Sequence, residues 1–312
     1  MRELTSPIDL CLPDGRLHEA AVGWSRRPLV RPNLRGWGRA KRWEYWGVVT
    51  ERFCLGLVVS SLDYAGVCSL WLLDRETGQT WESEAVPPLG RGVTMPAYGE
   101  VASVVSKDLR IEVSDRALRA AAPGVSVDLA VAPGAEVLGA VVPWSARRFQ
   151  YTVKDVSRPV SGSIAVDGTS YDVEGWGVLD HGRGKWPYSI TWNWAAGSGP
   201  GRGLTLGGKW TDGTGVTENG LFVDGRLHKI QADLVWEYDT ADWMRPWRIH
   251  GEGVDATFTP FHEKVSRTDL VVLSNETHQC FGHWSGWAAT DDGERVDLDG
   301  LVGWAEEARN RW

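Results

Sequence analysis

Cysteine is sparse in this 312-residue chain. The four cysteines, Cys11, Cys54, Cys68 and Cys280, stand far apart with no C-x-x-C pair. That spacing excludes a disulfide framework and a structural zinc site as organising devices. Cys54 and Cys68 fall in apolar, strand-like runs, where a free thiol behaves as a small hydrophobe. No apolar run approaches the length of a membrane span, and the opening Met1-Arg-Glu-Leu-Thr-Ser-Pro7 has no apolar leader core. The expectation is a cytoplasmic protein with no integral membrane segment. Positive charge is in the minority, 33 Lys and Arg against 41 Asp and Glu, for a net charge of −8. Such a balance argues against nucleic acid, whose phosphates require a basic footprint. The one basic run, Arg26, Arg27, Arg31, Arg35, Arg39, Lys41 and Arg42, is interleaved with Trp24, Trp37, Trp43 and Trp46. It reads as a carboxylate-paired loop in preference to a single-strand-binding patch. Also missing are a G-x-S-x-G elbow, a P-loop, an H-E-x-x-H pair and a dinucleotide fingerprint. Gly197–Gly203 is glycine-rich but has no helix after it, so it reads as a hairpin loop. His278 and His283 lie on opposite faces of a regular strand. No cofactor and no metal are expected.

Helical periodicity is scarce too, and turn signals are dense. Asp14-Gly15, Asp167-Gly168, Asp224-Gly225, Asp292-Gly293 and Asp299-Gly300 each separate apolar or alternating segments. Asp-Gly tolerates the positive φ of tight hairpin turns, so the series predicts antiparallel hairpins. Strands are expected at 53–61, 69–74, 101–105, 110–114, 125–131, 161–166, 204–209, 220–223 and 269–274. Residues 164–173 have the pattern of a two-stranded hairpin. Helix is confined to a short C-terminal helix or turn over 303–312, and the Ala-rich 116–122 is helical only in composition. The fold class is all-β, in two barrel-like halves: an N-terminal domain over 1–150 and a C-terminal domain over 151–312, divided near Pro143–Pro159. A weak echo supports two related halves: Trp46 leads through strands to Asp74 much as Trp194 leads to Asp224.

What the chain has in excess is tryptophan and glycine, 19 and 37 residues. An indole carries a large apolar surface and one N–H donor, so it serves equally in a thick core and in a ligand-cavity wall. The densest polar and aromatic cluster runs from Glu174 to Trp194. After Pro187, alternation sets Tyr188, Ile190, Trp192 and Trp194 on one face. Asp180 and His181 supply titratable groups for acid–base chemistry, though as strand neighbours they point to opposite faces. The structural alternative is that Asp180 pairs with Arg183 or Lys185 to fix a glycine-rich loop. Glu218 is a candidate second inward carboxylate, and Asn219 beside it a turn residue. The candidate catalytic residues are therefore Asp180, Glu218 and His181. Candidate substrate-binding residues are Trp176, Arg183, Lys185, Trp186, Tyr188, Trp192, Trp194, Asn219 and Trp247.

These motifs resemble the bacterial family called domain of unknown function 2804. The resemblance rests on Gly175-Trp-Gly-Val-Leu-Asp180, Arg183-Gly-Lys-Trp-Pro187, Thr191-Trp-Asn-Trp194 and Glu218-Asn-Gly-Leu221. Further matches are Asp224–Lys229, Pro246–Ile249, Phe258–Phe261, His278–Gly282, the closing 303–312 and, in the first half, Arg42–Trp46. The pattern departs at His181, where the family leads one to expect an aromatic residue. More loosely, Trp176-x-x-x-Asp180 followed by Trp192-x-Trp194 is similar to lipocalin-like double-barrel proteins that include carotenoid hydratases and polyketide-pathway cyclases. That resemblance implies two lipocalin-like antiparallel barrels and a hydrophobic small-molecule ligand near their junction. The activity it implies is a cofactor-independent hydration, isomerisation or cyclisation of an isoprenoid- or polyketide-like substrate. The alternatives are a non-catalytic carrier of apolar ligands, or a structural protein with filled barrels.

Overall fold

The computed structural model describes residues 1–270 and 273–311, with the side chains of 269, 270 and 273 left aside. It is almost entirely antiparallel β, curled into two half-barrel sheets. Among the described residues the only helical turn is a 3-10 segment at Glu19–Ala21. No described helix is long and apolar enough to cross a membrane.

The two sheets share one winding. In the first, Ala40–Thr50, Phe53–Ser61, Cys68–Asp74 and Thr80–Ala85 form a meander, and Thr169–Lys185 closes on the far side of Ala40–Thr50, followed by Arg148–Val166 and Val125–Val131. In the second, Ser189–Gly199, Arg202–Gly208, Asn219–Val223 and Arg226–Ile230 repeat the meander. Val302–Arg311 closes on Ser189–Gly199, followed by Leu273–Ala289 and Val254–Leu270. The Trp46-to-Asp74 and Trp194-to-Asp224 echo thus marks equivalent strands of the two meanders. The expected division near Pro143–Pro159 lies inside the first sheet, within Leu138–Ser145 and Arg148–Val166; the chain passes between sheets at 186–188.

Two Asp-Gly turns behave as their chemistry predicts. Asp167 and Gly168 have φ of 48° and 85°, and Asp224 and Gly225 of 48° and 78°. Left-handed pairs of this kind match the twist of the flanking strands. They close the hairpins pairing Val166 with Thr169 and Val223 with Arg226. The C-terminal helix is a correction: 303–311 lies in a strand, Val302–Arg311, paired with both Ser189–Gly199 and Leu273–Ala289, with 312 outside the described residues. Its Ala, Glu and Arg content favours helix locally, and pairing on both edges overrides that preference. Ala117–Ala122 is likewise a strand. The strand expected at 269–274 is instead the junction of a long hairpin, ending one strand at Leu270 and starting the next at Leu273, with 271 and 272 outside the described residues.

Alternation along the central strands sorts side chains into three layers. Trp46 and Val48 point into the core of the first half with Leu55, Leu57 and Leu179. Ala195, Cys280 and Ala305 point into the core of the second with Trp247 and Phe258. Between the sheets lies a shared seam: Val49, Val156 and Val178 from the first meet Trp194, Ala196, Phe281 and Trp304 from the second. There Trp71 stacks on Phe281 at 4.9 Å. In the basic run, Arg26 pairs with Glu136 at 3.1 Å and Asp291 at 3.2 Å, Arg31 with Asp9 at 2.8 Å and Arg42 with Asp63 at 2.6 Å. Cys54 and Cys68 are buried, unbridged strand residues.

Glycine and tryptophan are used together at the seam. Gly47 seats the Trp304 ring and Gly182 seats the Trp43 ring so closely that a Cβ at either position would overlap the indole. Gly47→Ala should therefore destabilise the protein by about 1–3 kcal/mol, the usual cost of overpacking. Urea denaturation would measure it; an unchanged midpoint would mean that Trp304 is free to swing away.

A buried acid–lysine cluster at the seam

Lys154 stands on Arg148–Val166 with its side chain on the seam face, directly across from Asp180 in the strand ladder. Its ammonium lies 2.9 Å from Asp180 Oδ1 and 3.3 Å from Glu218 Oε2, and sits 4.3 Å from the centre of the Trp194 ring. All three charged residues are withdrawn from water, Lys154 at 1% exposure, Asp180 at 7% and Glu218 at 0%. Asp180 is surrounded by donors: besides Lys154, Thr152 Oγ1 donates at 2.9 Å and Trp43 Nε1 at 3.0 Å. Only the glycine at 182 lets that indole lie close enough to reach.

Glu218 differs. Neither of its oxygens has a hydrogen-bond partner among the described residues, and its cations are the Lys154 ammonium at 3.3 Å and, beyond ion-pair distance, Lys229. Burial drives its carboxyl up, Lys154 pulls it back and Asp180 adds to the rise, leaving it at about 7. A third carboxyl, Glu306, enters the seam from Val302–Arg311. Trp192 Nε1 donates to Oε1 at 3.0 Å and Gln279 Nε2 to Oε2 at 2.9 Å, and burial again leaves the group at about 7. Gln279 also reaches Tyr45 OH at 3.3 Å. For Lys154 burial opposes the charge, but the attraction of Asp180 and Glu218 outweighs it and the ammonium holds its proton more firmly than in water.

Indoles wall this cluster. Trp186, Ile190 and Trp210 pack with Trp43, Trp144 and Trp192 beyond one end of it. Edge-to-face contacts join Trp43 to Trp186 at 4.9 Å, and Trp186 to Trp192 and Trp210 at 5.4 Å. Trp194 and Trp304 meet edge to face at 5.3 Å towards the other end.

Of the residues singled out from sequence, the fold brings Asp180, Glu218, Trp192 and Trp194 together, with Trp186 adjoining and donating to Gln150 Oε1 at 2.8 Å. Trp176 lies on the same face but at the rim, lining a depression of about 190 Å³. His181 and Arg183 point the opposite way, into the first half. There Glu44 receives His181 Nδ1 at 2.6 Å and Arg183 at 2.8 Å, and His181 faces the rings of Tyr98 and Tyr151. The Arg183 partner is therefore Glu44, not Asp180. Burial pushes the His181 imidazole below its ordinary range. Lys185 donates to the Gly15 carbonyl at 3.4 Å, and Tyr188 is exposed. Asn219 is spent on the backbone, accepting from Gly207 N at 2.7 Å and donating to Ala232 O at 2.9 Å. Trp247 stacks on Tyr238 at 4.2 Å inside the second half, away from the seam. Sequence reasoning missed Lys154, Glu306, Gln279, Tyr45 and the Trp43 donor. A faint signal existed for Lys154: Gln150, Thr152 and Lys154 alternate with Phe149, Tyr151 and Val153.

The family described as a domain of unknown function, DUF2804, matches residues 1–312. The chain belongs to the DUF2804 family. Among curated protein sequences none matches this DUF2804 chain. Among solved structures it is similar to a protein from Nitrosomonas europaea provisionally described as AttH, with TM-score 0.55 and 12% identity over 86% of this chain and 92% of the other. It is also similar to kievitone hydratase from Nectria haematococca, with TM-score 0.51 and 12% identity over 88% and 89%. At that identity the likeness is one of fold alone.

Proposed function

We propose that this DUF2804 protein is a cofactor-independent enzyme that protonates a carbon–carbon double bond of a hydrophobic, isoprenoid- or polyketide-like molecule, leading to hydration, isomerisation or cyclisation. The observation that carries the reading is the unequal pair on Lys154. Asp180 is ringed by donors, whereas Glu218 has no hydrogen-bond partner among the described residues and sits at about 7. Two carboxyls held in different states by their surroundings are the ordinary means of dividing acid and base roles. In this scheme Glu218 gives its proton to one alkene carbon. The cation left on the other carbon faces indole surfaces, which favour positive charge. Water then adds and yields its proton to Asp180, or a neighbouring C–H proton is lost to it. Glu306, from Val302–Arg311 of the second sheet, is a reserve acid, and His181, facing away, is outside the scheme. A hydratase among the structural neighbours agrees with this by analogy of fold alone.

The carrier alternative calls for binding without chemistry, and one experiment separates the two. The protein is incubated in D2O with a panel of isoprenoid alkenes such as geraniol, and recovered material is read by mass spectrometry. Reversible protonation places deuterium on carbon; a carrier returns its ligand unlabelled. Glu218→Gln should slow labelling about 10²–10⁴-fold, the span of a general acid's contribution. Labelling at the wild-type rate in that variant would remove Glu218 from the mechanism.

A further inference from the structure

The depression beside Trp176 opens on the same seam as the acid cluster. Its walls come from Trp176 and Val49 on the first sheet and Ser198 and Val302 on the second, with Arg75 at its lip. In the strand ladders Trp176 pairs with Val49 and Ser198 with Val302. Two residues further along each strand lie Val178, Gly47, Ala196 and Trp304, and two beyond those lie Asp180, Tyr45, Trp194 and Glu306. The depression is thus the outer end of a slot whose inner end holds the acids, with a single layer between.

Four features of the slot point to its occupant. Ser198 is 2% exposed and its hydroxyl has no hydrogen-bond partner among the described residues. A buried hydroxyl without a partner is costly, so a ligand oxygen that bonds it gains the worth of that hydrogen bond. Trp304 Nε1, in the intervening layer, is equally buried and unpaired. Charge at the lip is one guanidinium against two carboxylates: Arg75 is held by the carbonyls of Thr50 at 2.7 Å and Glu51 at 3.0 Å, and Glu51 and Glu174 also line the opening. That surplus of carboxylate disfavours an anion, and the apolar walls of Val49, Trp176 and Val302 suit a neutral molecule. Size agrees, since a cavity of roughly 150 Å³ takes benzene and this one measures about 190 Å³. It holds a ring or the end of an isoprenoid chain, not a whole drug-sized ligand.

We propose that the Trp176–Ser198 depression is a binding subsite for the hydroxyl- or carbonyl-bearing end of a neutral apolar molecule, with Ser198 bonding that oxygen and Trp304, seated on Gly47, forming the partition before the acids. The subsite rests on the reading that the seam takes an apolar ligand, and it names where that ligand's oxygen docks.

Indole ¹⁵N–¹H resonances of the full chain are followed during titration with benzyl alcohol and, separately, with toluene. The Trp176 signal is identified by its loss in Trp176→Phe. Benzyl alcohol should move that signal and bind about five-fold more tightly than toluene, the worth of one neutral hydrogen bond. In Ser198→Ala the preference should fall to about one while toluene affinity holds. An unmoved Trp176 signal, or an alcohol preference that survives Ser198→Ala, overturns the subsite. Glu218→Gln should leave both titrations as in the wild type, so loss of deuterium labelling and loss of this binding report on separate claims.

Discussion

Lys154→Met is expected to lower stability at pH 7 by about 3–5 kcal/mol, the usual result of removing one member of a buried ion pair. The side chain it replaces is 1% exposed and touches two acids. Methionine fills nearly the same volume, so the loss is electrostatic: Asp180 keeps Thr152 and Trp43 as donors but loses its counter-charge, and Glu218 loses its nearest cation and keeps only the more distant Lys229. Adding Asp180→Asn should recover much of the loss, because a neutral amide no longer needs the ammonium. The coupling between the two substitutions, from urea denaturation of wild type, both single variants and the double variant, measures the pair directly. The penalty of Lys154→Met should also shrink between pH 7 and pH 5, because without the ammonium the Glu218 carboxyl holds its proton more firmly than in the wild type. A loss below about 1 kcal/mol, typical of exposed pairs, would mean that the seam is wet and that Lys154 does not organise the acids.

The sheet architecture was readable because its signals are local. Asp167-Gly168 and Asp224-Gly225 carry the turn geometry in two adjacent residues, and 53–61 and 125–131 are strands to the residue. Ile190, Trp192 and Trp194 share a face as their alternation required, and Asp180 and His181 diverge as strand neighbours must. What could not be read was pairing at long range. Lys154 meets Asp180 only because a long hairpin sets 154 opposite 180, and Glu218 arrives from a different sheet. Trp304 finds Gly47, and Trp43 finds Gly182, across much of the chain. Glu306 was hidden for a different reason. Its strand is buried on both faces over 303–308, so no polar–apolar alternation survives, and a composition of Ala, Glu and Arg reads as helix. The acid was therefore concealed by the same burial that shifts it.

Glu218→Gln is expected to change the pH dependence of stability as well as turnover. In the folded protein the Glu218 carboxyl sits at about 7, against 4.5 for a free glutamate. Between these values the folded state binds the additional proton, so the group's contribution is fully present below about pH 4.5 and is lost as pH rises through 7. At about 1.4 kcal/mol per pH unit this amounts to roughly 3 kcal/mol. Glutamine does not titrate. Relative to wild type, Glu218→Gln should therefore gain about 3 kcal/mol on going from pH 4 to pH 8, and Glu306→Gln, replacing a carboxyl with the same shift, should behave alike. The difference between variant and wild type is the quantity to measure, because other groups act in the same window. His181, His262 and His283 are depressed by burial and favour the folded state as pH rises. Lys229, brought down to about 7 by burial, acts only above that pH. Parallel urea titrations at pH 4, 6 and 8 would resolve the effect, and a pH-independent difference would show that Glu218 titrates in the folded protein as it does in the unfolded chain, its burial fully offset by Lys154. A gain in stability at pH 8 accompanied by loss of deuterium labelling would mean that the fold tolerates an unfavourable acid where a neutral amide is better for stability alone. That trade is expected of a residue kept for its proton, and a purely structural carboxyl gives no reason for it.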